Sequence, residues 1–256
     1  MIIDIGSGHK PHKNADFLLE HHKIGNKHRW GKSLLIDRPT ILYNGQIMPF
    51  KNKSFEFSIC RHVLEHVDSP KKFLNEIERI SKAGYIETPS EIAEAIFTPF
   101  DEHRWIVTLN KNVLFIRKKL KGNTSKFGKL FDYLCDNEKN FNDFFYRKRR
   151  RLFFVEYFWS KKINFKIKKS SSDIIYDLYN TKSLYKLTRL NKIPHNTNIV
   201  NIKPKQSAPD SFKFLEKHLL SPCCKADTKY VRSHFVCNDC LYKYPIVGQK
   251  IEMFIH

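Results

Sequence analysis

The sequence predicts an α/β protein: a mostly parallel sheet with helices on both faces, followed by a small cysteine-stapled module at the C-terminus. Three observations carry this. Residues 1–97 alternate short apolar runs with helical patterns. The first apolar run breaks directly into Gly6-Ser7-Gly8. Four of the six cysteines crowd into the eighteen residues from Cys223 to Cys240.

The elements follow in order. Met1–Ile5 is a buried strand, Asp16–Glu20 a second, and Ile41–Tyr43 part of a third. Phe55–Cys60 is a fourth; a helix from about Ser69 to Ser81 follows, with Phe73, Ile77 and Ile80 on one face. Ala83–Glu87 is a fifth strand. Strands alternating with crossovers imply parallel pairing. Asn110-Lys111-Asn112 suits a turn between IVTL and VLFI, so these two runs pair as a hairpin. Residues 125–150 read as helical and run into the basic tract Arg147–Arg151. Leu152–Trp159 and Ile163–Ile167, separated by a Ser-Lys-Lys tract, read as an antiparallel hairpin. The expected domains are 1–180, with a helical insertion at about 118–150, a linker over 181–213, and the cysteine module over 214–256.

Bulk properties narrow the classes. With 41% hydrophobic and 14% aromatic residues, a sizeable core is affordable and a largely disordered chain is excluded. No apolar run approaches the roughly 20 residues of a membrane helix, and the start lacks the basic flank and cleavage site of a signal peptide. A cytoplasmic location is the expectation. The chain has 46 Lys and Arg against 26 Asp and Glu, a net charge of +20. Such a balance suits a polyanionic partner such as nucleic acid. The abundance of Lys, Asn, Ile and Phe is equally what an AT-rich genome produces without selection for binding.

The strongest constellation is Asp4-Ile5-Gly6-Ser7-Gly8, a strand that ends in an acid and breaks into glycines. Without a Cβ, Gly6 and Gly8 allow a tight turn and close approach to a ligand. The third glycine of a dinucleotide fingerprint is absent, since position 11 is Pro, which argues for a ligand without phosphates. Downstream come Met48-Pro49-Phe50, Ser54-Phe55-Glu56, Val63-Leu64-Glu65-His66-Val67, and a helix with Glu76 and Arg79. In order and spacing these tracts resemble the class I methyltransferases that use S-adenosylmethionine, of the type 11 kind. The resemblance covers about residues 1–115 and implies a Rossmann-like domain.

It also implies roles. Asp4, Gly6, Ser7 and Gly8 match the loop around the methionine part of the cofactor. An acid at the end of the second strand would accept hydrogen bonds from the ribose hydroxyls; Glu20 is chosen, with Asp37 as its rival. Asn44 and Gly45 stand where the family reads the adenine, Asn44 replacing the usual Asp. Cys60 ends the fourth strand, where backbone groups line the methyl-donor pocket. His62 and His103 are candidate catalytic residues, each following a strand end on the cofactor side; His66 reads instead as a brace for the helix start.

Cys223-Cys224 and Cys237-x-x-Cys240 offer four thiols at a spacing suited to structural, tetrahedral zinc. Because the first pair is adjacent, one thiol is read either as a ligand or as a spectator replaced by Asp227 or His234. Leu219-Leu220 and Tyr244-Pro245-Ile246 around them resemble the zinc-ribbon family that includes the activator subunit of tRNA and protein methyltransferases, with Ser221 in place of its first cysteine. The methyl acceptor is not legible. A small molecule, lipid or glycan precursor is the first reading, RNA or protein the second, and a degenerate nucleic-acid-binding module the third.

Overall fold

A computed structural model describes residues 1–21, 31–44, 46–98, 100–119, 127–168 and 208–254. Its sheet grows from β1 (Ile2–Ile5), flanked in parallel by β2 (Phe17–His21) and β4 (Phe55–Arg61). β3 (Thr40–Tyr43) adds beside β2, and β5 (Ser81–Pro89) beside β4, both parallel. The order 3-2-1-4-5 reverses direction at β1, which makes the gap between the carboxyl ends of β1 and β4 the topological switch point. The expected Rossmann-like α/β architecture is what the chain adopts.

The sheet forms because its strands are apolar on both faces. Ile3, Ile5, Phe17, Leu19 and Cys60 enter the main core, while Ile2, Leu18 and Ile59 enter a smaller cluster. The fourth strand is followed by α1 (Pro70–Ile80). Ser69 accepts the amide hydrogen of Lys72, and Pro70 sits in the first turn, where its missing N–H costs nothing. Leu74, Ile77 and Ile80 recur at helical spacing and are fully buried. Between β1 and β2, by contrast, residues 6–16 form turns and no helix.

Glu76 and Arg79 of α1 hold the Met48–Phe50 turn. Glu76 accepts from the Met48 amide at 2.8 Å, and Arg79 donates to the carbonyls of Met48 and Phe50 at 2.8 and 2.5 Å. The same turn anchors the C-terminal part, since Leu220 donates to the Pro49 carbonyl and Lys51 to that of His218.

β6 (Trp105–Asn110) and β7 (Val113–Lys118) form the predicted hairpin, turning through Lys111 and Asn112 at positive φ. A helical region follows: α3 (Gly128–Asn137), α4 (Lys139–Asp143), a π-helical turn at Phe144–Lys148, and α5 (Arg150–Phe153), with α2 (Glu91–Ile96) packed on α5. The second predicted hairpin does not form. β8 (Phe154–Ser160) instead pairs antiparallel along β5, and β9 (Phe165–Lys168) pairs parallel with β7. The open edge of β5 offers β8 a seven-residue register and buries Tyr157 and Trp159, which a short local turn cannot match. Most of the linker expected over 181–213 lies outside the described residues.

The chain resumes with α6 (Ala208–His218), whose Phe214 stacks on Phe17 at 5.2 Å. β10 (Thr228–Val231), β11 (His234–Cys237), β12 (Lys243–Val247) and β13 (Lys250–Met253) form a meander. β13 then pairs parallel with β3, so the meander extends the main sheet to ten strands. Phe235, Tyr244, Ile251 and Met253 are fully buried in the same core as α1. Among the described residues no helix is long and apolar enough to cross a membrane.

Candidate active site

The switch point is lined by the turn after β1. Gly6 (φ +69°) and Gly8 (φ +60°) both adopt the left-handed conformation that favours glycine. A Cβ on Gly6 would stand 2.4 Å from Val63 Cγ2, so the loop after β4 leaves room for hydrogen only. The Gly6 amide donates to the Leu19 carbonyl at 2.8 Å, which ties the turn to β2.

Glu20, buried near the end of β2, reaches into this turn. Its Oε1 accepts from the Ser7 hydroxyl at 2.7 Å and from the Gly8 amide at 2.8 Å. Asp37 lies elsewhere, gripped by both Nε and Nη2 of Arg38, whose hydrogen bonds hold its carboxyl below the usual range. Asp4 is fully buried; Oδ2 accepts from the His12 amide at 2.7 Å, and Oδ1 has no hydrogen-bond partner. Burial outweighs the nearby Arg61 guanidinium and raises the Asp4 carboxyl to about 6. Asn44 is exposed just beyond β3, and Gly45 lies outside the described residues. The Cys60 thiol points into the core, where burial pushes its pKa well up.

Across the crevice, His62 follows β4 with φ +56°, a costly conformation for a residue with a side chain. Its amide donates to the Glu87 carbonyl at 2.9 Å. Its ring stands between two buried carboxylates, Nδ1 3.5 Å from Glu65 and Nε2 3.3 Å from Glu87. Burial disfavours the imidazolium, but the two carboxylates prevail and raise its pKa to about 9. Glu87 feels burial as well, yet His62, Arg150 and the Tyr85 hydroxyl bring it down to about 2. Arg150 donates to Glu87 at 2.5 Å and to Glu156 at 2.9 Å.

His103 is not beside His62. Its Nδ1 meets Glu94, and its ring packs on His66 with centroids 4.6 Å apart. Glu94 and Arg150 escape a reading by motif, and Glu65 and Glu87 were read as parts of a tract and a strand end without a role, because each becomes part of the site only when β4, β5, α2 and α5 converge. Acids at strand ends were the one signal available.

Residues 26–86 match the family described as methyltransferase domain. The match begins ahead of β3 and ends within β5, and the glycine turn at Gly6–Gly8 lies outside it. Among solved structures, a protein of Listeria monocytogenes assigned as an S-adenosylmethionine dependent methyltransferase shares 10% identity, with a TM-score of 0.35 over 63% of this chain and 90% of that one. An S-adenosylmethionine dependent methyltransferase from Mesorhizobium loti shares 14% identity, with a TM-score of 0.27 over 46% of this chain and 56% of that one. Likeness at this level bears on neither substrate nor mechanism. No curated protein matches the chain.

The chain also carries a thiol cluster. Ligand atoms of Cys223, Cys224, Cys237 and Cys240 all lie within 4.8 Å of one another. Tyr244 donates its hydroxyl hydrogen to Cys223 Sγ at 3.0 Å, and Ser221 Oγ lies 3.3 Å from Cys237 Sγ. Asp227 instead pairs with Lys51, and His234 with Ser233. Four convergent sulfurs with such polar support fit tetrahedral zinc.

Proposed function

We propose that S-adenosylmethionine binds at the β1–β4 switch point, and that its methyl group passes to a small molecule, lipid or glycan precursor presented at the ends of β4 and β5. The observation that carries this reading is Glu20 closing on the Ser7-Gly8 turn, an acid already beside a glycine cradle. The buried Asp4 Oδ1, without a hydrogen-bond partner among the described residues, fits a ligand with an ammonium group. In this reading Asp4, Gly6, Ser7 and Gly8 hold the methionine part, Glu20 the ribose, Asn44 and Gly45 the adenine, and the backbone at Cys60 the donor side. The bound cofactor supplies an electrophilic methyl group; the chain orients the acceptor and keeps water out.

His62, protonated between Glu65 and Glu87, has no lone pair for a general base at neutral pH. Its role is to keep the two carboxylates fixed at the edge of the acceptor site, since both of its N–H groups face them. Residues 1–180 act as the catalytic domain and 214–256 as a zinc-stapled ribbon that completes its sheet. A second reading, RNA as acceptor, is favoured by the basic tract Arg147–Arg151, whose Arg150 reaches Glu87 itself.

The test is calorimetry with S-adenosylhomocysteine, then transfer of label from methyl-labelled donor into cell fractions. Label should enter the small-molecule or lipid fraction and persist after RNase treatment. Loss of all label with RNase would replace the first reading by the second. Absence of both binding and transfer would overturn methyl transfer.

A further inference from the structure

Glu65 is 1% exposed, and among the described residues neither of its carboxylate oxygens has a hydrogen-bond partner. His62 lies 3.5 Å from one of its oxygens, at the limit of hydrogen-bond distance, and that same ring also serves Glu87 at 3.3 Å, so the pairing is long and shared. A carboxylate buried so deeply is costly unless it is paired or binds a metal. One Glu65 oxygen and one ring nitrogen each from His66 and His103 lie within 4.8 Å of one another.

The two rings are oriented from behind. His66 Nδ1 lies 3.1 Å from the Glu102 carbonyl, and His103 Nδ1 meets the Glu94 carboxylate, itself fixed by Lys119 at 2.7 Å. A carbonyl or carboxylate can only accept, so Nδ1 carries a proton in each ring, and Nε2 is the nitrogen that would ligate a metal. Histidines that ligate metals are held by this kind of hydrogen bond, which sets the tautomer and the ring orientation.

We propose that Glu65, His66 and His103 bind a divalent transition-metal ion of the manganese, iron or zinc kind. Two imidazoles and one carboxylate suit these ions, and three protein ligands leave coordination positions open for oxygen. The site differs in kind from the four-thiol cluster, whose soft sulfurs suit zinc and leave no position open. It adjoins His62, so a cation here stands at the edge of the acceptor site and draws in a hydroxyl or phosphate oxygen of the acceptor. That last step rests on the methyl-transfer reading, whereas the metal site does not.

Manganese separates the two sites, because thiolates bind it poorly. Full-length protein with its cysteine site zinc-loaded is titrated with Mn²⁺, and the free-ion paramagnetic resonance signal is followed. About one Mn²⁺ per chain should bind, and its binding should raise the melting temperature. Glu65→Gln and His103→Asn should each weaken binding at least about tenfold and abolish the thermal shift, with zinc content unchanged. Should Glu65→Gln fail to fold, His103→Asn and His66→Asn carry the test. Wild-type protein that binds no Mn²⁺, or variants that bind it equally well, would overturn the proposal. Calorimetry with S-adenosylhomocysteine on the same samples reports separately on the cofactor reading.

Discussion

Glu20 Oε1 accepts the Gly8 amide hydrogen at 2.8 Å and the Ser7 hydroxyl hydrogen at 2.7 Å, so one carboxylate organises the loop that follows β1. A ribose bound there would meet the oxygens of a residue already held by the cradle. The competing acid, Asp37, is held instead by two hydrogen bonds from Arg38.

Glu20→Gln should therefore weaken S-adenosylhomocysteine binding by about ten- to a hundredfold, since hydrogen bonds to a charged group contribute about 1.5–3 kcal/mol. Asp37→Asn should change affinity less than twofold. Calorimetry on both variants decides between the two acids; the reverse pattern would transfer the ribose role to Asp37.

Gly6→Ala adds a methyl group 2.4 Å from Val63 Cγ2 at φ +69°, where an L side chain is strained by about 1–2 kcal/mol. Affinity for S-adenosylhomocysteine should fall at least tenfold, and Gly6→Arg should abolish it. The melting temperature, measured alongside, should drop in both. Unchanged binding in Gly6→Ala would mean that the turn does not hold the cofactor.

The His62–Glu87 pair makes stability depend on pH with a definite sign. Raised from 6.5 to about 9, His62 contributes fully below pH 6.5, and its contribution is lost as pH climbs through 9. Lowered from 4.5 to about 2, Glu87 contributes above pH 4.5 and loses that contribution as pH falls through 2. Both contributions are present between pH 4.5 and 6.5. Melting curves of His62→Gln should lack the wild-type decline between pH 6.5 and 9. A decline of equal size in the variant would place its origin elsewhere.

Replacing Cys237 and Cys240 by Ser should release about one zinc per chain, as measured by elemental analysis. Because β13 is hydrogen-bonded along β3, the loss should lower the melting temperature of the whole chain in one transition. Two separate transitions, with the larger unshifted, would show instead that the ribbon folds alone.

The sequence by itself determined the local elements and the kind of chemistry. The five opening strands were legible as short, mainly apolar runs, and the helix after β4 from Phe73, Ile77 and Ile80 at helical spacing, although the structure buries Leu74 rather than Phe73 beside the two isoleucines. The glycine turn was legible because only glycine serves there, and the thiol cluster because cysteine spacing is a covalent property of the chain. Tertiary structure decided which strand β8 joined: β5 and a local hairpin partner both suited it, and only the buried area along the sheet edge separated them. It also decided that the C-terminal meander would continue the sheet through β13 rather than stand apart. The network of Glu65, Glu87, His62 and Arg150 was beyond a one-dimensional reading. Glu87 and Arg150 are 63 positions apart in the chain, and their charges come into contact only where β5 and α5 meet.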